Sequence, residues 1–150
     1  MPTSPLDAER PAIARLLAVW PPAAIDALIA ESCGLWGVPG FATKVAWRWN
    51  SRLRTTLGRA CLSDQVLEFN PILLARHPDE MQPLLLHELA HLVAYDQAKA
   101  MRKRIAPHGA EWKSLMRAVG GSTRATHQLN VEGLRAKKSR RRRRRRIWFG

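Results

Sequence analysis

Between residues 5 and 35 the apolar positions recur at helical intervals. Ile13, Leu16, Leu17 and Trp20 fall on one face of a first segment, and Ile25, Leu28 and Ile29 on one face of a second. The pattern predicts helices over 5–19 and 22–35, separated by Pro21-Pro22, with Gly34 as a C-cap. After a turn at 38–40 the period shortens. Val45, Trp47 and Trp49 alternate with Ala46, Arg48 and Asn50, the two-residue period of a strand. "ACLSDQVLEFNP" (60–71) reads as two short strands around a Ser-Asp turn, closed by Pro71. Residues 43–70 are therefore expected to form a small antiparallel sheet.

The helical period returns in "QPLLLHELAHLVAY" (82–95). Asp79 is the expected N-cap, Pro83 lies close enough to the start to be tolerated, and the helix should run to about residue 100. A basic loop over 99–107 leads to a further helix within 108–121. There Trp112, Leu115, Met116 and Val119 share a face, and Gly120-Gly121 is the stop. From 122 onward turn formers and cations take over, and little packed structure is expected. The class is α+β: N-terminal helices, a small antiparallel sheet, a long helix and a following helix in a domain over 1–125. A disordered basic tail is expected over 126–150.

Length and charge narrow the picture. A chain of 150 residues suffices for one core and is short for two. The apolar run at 16–25 is ten residues long and broken by two prolines, too short to span a bilayer. No basic segment precedes it as a signal peptide requires, so the expected location is cytoplasmic, at the nucleoid if the tail engages DNA. Cys33 and Cys61 belong to no CxxC pair and read as buried thiols. The net charge of +13 is unevenly placed. Residues 133–150 hold ten of the 25 Lys and Arg and no acid, which leaves 15 basic against 12 acidic groups over 1–132.

The chemistry lies in the apolar helix. His87 and His91 are four apart, so at about 100° per residue both imidazoles reach one point in space. Glu88 lies beside them without needing to coordinate. Leu85, Leu89, Leu92 and Val93 cover the opposite face, and Ala90 and Ala94 flank the histidines. This H-E-x-x-H spacing is that of two zinc ligands with a carboxylate placed as general base. A catalytic zinc needs a third protein ligand and an open position for water. His108, which opens "HGAEW", is the preferred candidate; Glu111 is its main rival, with Asp96 and His127 behind. Trp112 is expected to pack and orient His108, Trp47 and Trp49 to serve the sheet core, and Tyr95 is a weaker candidate for bonding a reaction intermediate. A nucleic-acid-binding protein with a structural zinc site is the alternative, and the intact Glu88 counts against it.

Several blocks together resemble one family. "WNSRLRTTLGRA", "LEFNPILL", "LLLHELAHLVAYD" and "HGAEWKSLMRAVGG", followed by "THQ" (126–128), are similar in order and spacing to the SprT-like zinc metallopeptidases. The resemblance implies a minimal zincin-like fold, one catalytic Zn2+ held by His87, His91 and His108, and Glu88 as catalytic base. It also implies hydrolysis of peptide bonds in protein substrates that are associated with DNA. Members of that family often continue into a four-cysteine zinc ribbon. No cysteine follows Cys61 here, so the ribbon's role does not carry over.

The tail has its own chemistry. Seven consecutive arginines (140–146) follow Lys137 and Lys138, and such a run repels itself and buries nothing. Residues 135–146 are expected to bind DNA non-specifically through counterion release, with Trp148 and Phe149 available to stack on bases. No membrane partner is expected, and the oligomeric state is open.

Overall fold

Helix α1 (Pro5–Val19) and helix α2 (Pro22–Leu35) form where the apolar periodicity places them. The computed structural model describes residues 5–124 and 147–149. Pro22 opens α2 at a position whose N–H would have no partner anyway. The helix runs past Gly34 to Leu35, and the reversal falls instead on Gly37, whose φ of +71° favours glycine. Ile25, Ile29 and Cys33 form the buried face of α2.

A 3-10 turn over Pro39–Lys44 leads into strand β1 (Ala46–Trp49). Strands β2 (Gly58–Cys61) and β3 (Val66–Phe69) make the expected antiparallel hairpin. β1, however, runs parallel to β3, in register Trp47 to Leu67 and Trp49 to Phe69. The sheet is therefore mixed, correcting the all-antiparallel expectation. The reason is topological: β3 inserts between β1 and β2, and alternation reports which face a residue uses, not the direction of its partner. Glycine is required at 58. A Cβ there would stand 2.5 Å from the Glu68 carbonyl of the neighbouring strand and 3.1 Å from Leu84 Cδ2 of a later helix.

Pro71 does not merely end a strand. It opens helix α3 (Pro71–Arg76), whose N-cap is Asn70. The Asn70 side chain accepts from the Ile72 and Leu73 amides at 3.1 and 3.2 Å and donates to the Leu53 carbonyl at 3.0 Å. It thereby satisfies the helix start and pins the preceding loop. A 3-10 turn over Pro78–Glu80 then runs directly into helix α4 (Met81–Ala100). Asp79 lies inside that turn and is not the N-cap; Glu80 holds the position without a side-chain cap. The turn's own carbonyls serve, Pro78 receiving the Met81 amide.

Helix α4 is the axis of the core. Leu84, Leu85, Leu89, Leu92 and Val93 pack in the main cluster with α2, the sheet and α3. Leu86 and Ala90 pack against Trp112 and Met116 of helix α5 (Ala110–Ala118). A helix covered on nearly every side reads as continuous apolar sequence rather than as a stripe. No single helix among the described residues is long and apolar enough to cross a membrane.

The tail expected over 126–150 lies outside the described residues except at its far end. There Ile147–Phe149 form strand β4, which pairs antiparallel with β2 and gives the order β1-β3-β2-β4. Ile, Trp and Phe are all strand formers, and the edge of β2 supplies the hydrogen-bonding partners that a free tail lacks.

Candidate metal centre

One turn of α4 separates His87 from His91, and both side chains are buried, as is Glu88 between them. His108 comes from the loop that precedes α5. Its Nε2 lies 3.1 Å from His87 Nε2 and 3.1 Å from His91 Nε2. All three ligand atoms fall within 4.8 Å of one another. The structure thus brings together the three histidines expected from sequence.

Trp112 holds this arrangement in place. It is fully buried, and its indole N–H donates to the His87 carbonyl at 3.1 Å. The ring stacks on His91 with centroids 5.6 Å apart and meets His108 edge-on at 4.8 Å. The indole N–H of Trp36, beyond the end of α2, donates to the Leu115 carbonyl at 2.8 Å, which ties α5 to the body of the domain. The loop histidine is therefore carried by a helix anchored at two points.

The electrostatics favour neutral rings. Burial, then the charges that His87 and His108 would carry, push His91 down to about 2; the Pro107 backbone opposes this weakly. His108 is lowered as well, by burial and then by Lys113. Neutral imidazole is the form that ligates metal. Three imidazole nitrogens facing one another cannot all be served by protons, since one proton bridges only one pair. A tetrahedral zinc with Zn–N of about 2.0–2.1 Å sets its ligand nitrogens about 3.3 Å apart, close to the spacing present here. Donor type, number and spacing fit a single zinc ion.

The rival ligands are placed elsewhere. Glu111 accepts from Lys103 Nζ at 2.9 Å, and that hydrogen bond holds its carboxyl below the usual range. Asp96 faces Gln65 at 3.5 Å, and His127 lies outside the described residues. Trp47 and Trp49 pack on Phe69, at 6.3 and 5.8 Å, as sheet core. The Trp47 N–H donates to Asp26 at 2.8 Å. Cys33 and Cys61 are free and buried, and burial raises Cys33 to about 11, so neither thiol is poised to react.

The neighbour that sequence reasoning missed is Trp148. Read as a tail residue for stacking on bases, it meets the His91 ring edge-on at 5.2 Å and the Tyr95 ring at 6.1 Å. The signal was present in Ile-Trp-Phe, a strand-forming triplet, but nothing in the sequence identified its partner.

Comparison with known proteins agrees with this geometry. The model of the SprT-like family matches residues 31–133. Protein SprT of Enterobacter sp. (strain 638) is 40% identical over 86 residues, which cover 54% of this chain and 48% of that protein. The proteins named SprT of Escherichia coli O1:K1 / APEC and of Escherichia fergusonii are each 36% identical over 83 residues, with the same coverage. The chain spans about half the length of the curated relatives it matches. No solved structure matches it.

Proposed function

Because the chain belongs to the SprT-like family, we propose that it is a zinc-dependent metallopeptidase that cleaves DNA-associated proteins. One observation carries this reading: the imidazole nitrogens of His87 and His91 on α4 each lie 3.1 Å from that of His108 in the loop before α5, and α4 also carries Glu88 next to His87. A site built only to hold metal for structure has no use for that carboxylate.

His87, His91 and His108 would hold the ion, which supplies Lewis acidity toward water and a carbonyl oxygen. Glu88 takes the proton of the attacking water and returns it to the leaving amine, the two proton transfers that amide hydrolysis requires. Trp112 keeps the His87 backbone and the loop carrying His108 in register. Burial of Glu88 and His91 keeps bulk water from competing for the transferred proton.

For targeting, residues 135–146 are read as a non-specific DNA tether, raising the local concentration of chromosome-bound substrates through phosphate contacts. Lys99, Arg102, Lys103 and Arg104 lie together beside the end of α4 and would extend the cationic track.

The test combines metal stoichiometry with cleavage of a DNA-bound protein, with and without DNA. One zinc per chain and chelator-sensitive cleavage are expected. Undiminished chelator-sensitive cleavage by Glu88→Gln would remove the assigned base. Replacing the seven arginines 140–146 by serine, with 147–149 retained, tests the tether: unchanged stimulation by DNA rules it out.

A further inference from the structure

A strand edge offers a row of unpaired N–H and C=O groups, and proteins commonly use such an edge to take up an extended peptide. In this molecule the edge of β2 away from β3 is such a place, and the chain's own β4 lies on it. The pairing is antiparallel, Arg59 opposite Phe149, Ala60 opposite Trp148 and Cys61 opposite Ile147. Ala60 is fully buried and shares its face with Leu67 toward α4. The residue opposite it, Trp148, projects to the same side and reaches His91, with ring centroids 5.2 Å apart at 76°. Tyr95, one turn further along α4, closes the other side at 6.1 Å and 84°.

Beyond the indole the surface opens into a cavity of about 590 Å³, lined by Tyr95, Ala98, Ile105 and Trp148 with a cationic rim from Lys99 to Arg104. β4 is only three residues long and directly follows seven arginines. A pairing this short is displaceable.

We propose that Ile147–Phe149 is a self-inhibitory occupant of the outer edge of β2, seating Trp148 beside His91 where an extended protein substrate would otherwise lie. This deepens the metallopeptidase reading and rests on it for the identity of the competing segment, a protein substrate. The occupant lies where the middle side chain of a bound substrate would meet the metal cluster, so it competes with substrate. The site consequently prefers an aromatic residue at that position.

The test compares the full chain with a variant lacking 147–150, each metal-free and zinc-loaded. The probe is a labelled peptide Arg-Arg-Ile-Trp-Phe-Gly, corresponding to 145–150, and its Trp148→Ala form. The shortened chain is expected to stay folded, to exchange its amide hydrogens faster over 58–61, and to bind the Trp peptide but not the Ala form. The full chain should bind the probe about fivefold or more weakly, because a tethered segment acts at roughly millimolar effective concentration. Trp148→Phe should restore most of the protection and Trp148→Ala should not. Equal binding by both chains, no binding by the shortened chain, or its unfolding would overturn the proposal and make β4 a plain structural strand. Peptide docking with no cleavage by the zinc-loaded chain leaves the docking edge standing and removes the peptidase reading. Cleavage without docking does the reverse.

Discussion

Two polar clusters are buried within this small domain, and the chain treats them in opposite ways. On the sheet face turned away from α4, Glu68 is fully buried. It accepts from Arg59 Nε at 2.6 Å, from Asn50 Nδ2 at 2.8 Å and from Arg48 Nε at 2.9 Å. Burial alone would raise its carboxyl; the hydrogen bonds from Arg59, Asn50 and Arg48 outweigh that and hold it at about 2. Here opposite charges meet and the cluster is complete in itself. On α4, by contrast, like gathers with like. His87 and His91 each turn Nε2 on that of His108, at 3.1 Å. The first cluster stabilises the sheet with what the chain provides, whereas the second could hold a metal ion. Burial of polar groups alone does not mark a functional site; convergence of several metal-ligating nitrogens makes a candidate one.

The sharpest way to break this comparison is at the second cluster. Glu88→Gln should lower cleavage by about 10²–10⁴-fold, the usual worth of a positioned general base. Zinc content should remain at one per chain. His108→Ala should instead lose the zinc, read by metal analysis, with cleavage falling together with it. If His108→Ala keeps stoichiometric metal, the site is not the three-histidine one described here.

At the first cluster the expected loss is stability, not chemistry. Glu68→Ala should cost roughly 2–3 kcal/mol in denaturant unfolding. That is less than the ~3–5 of a fully buried pair, because both arginine partners reach solvent. The pH dependence has a definite sign. A carboxyl held at about 2 in the fold against 4.5 for the ordinary group contributes its full stability above 4.5. That contribution is lost as pH falls from there toward 2, and Glu68→Gln should flatten the unfolding profile in this window.

A smaller loss of stability is expected at Gly58, which packs against β3 and Leu84 of α4. Gly58→Ala should destabilise by about 1–3 kcal/mol through overpacking against the Glu68 carbonyl and Leu84. Metal content should be unaffected in the folded fraction. The smallest effect is expected at the thiols. Burial raises both Cys33 and Cys61, so a thiol reagent should label them slowly and leave cleavage unchanged.

What was legible in the sequence was local. Helical spacing of apolar residues located α1, α2 and α4, strand alternation located β1, and four-residue spacing put His87, Glu88 and His91 on one turn. These follow from backbone periodicity, which every segment carries within itself. His108 was reachable because few residue types ligate zinc and a loop of suitable length preceded it. Helix α3 was also within reach, since Asn70-Pro71 is a cap followed by a first-turn proline, but the proline was read as a strand ending. Only the tertiary structure decided the rest. The direction of β1, the closure of Glu68 by Arg48 and Arg59, the clasp of Trp112 on His87 and the seat of Trp148 beside His91 all join segments far apart in the chain. Such pairings depend on which edges and faces remain free once the core has formed, a property of the assembled elements rather than of any one stretch of residues.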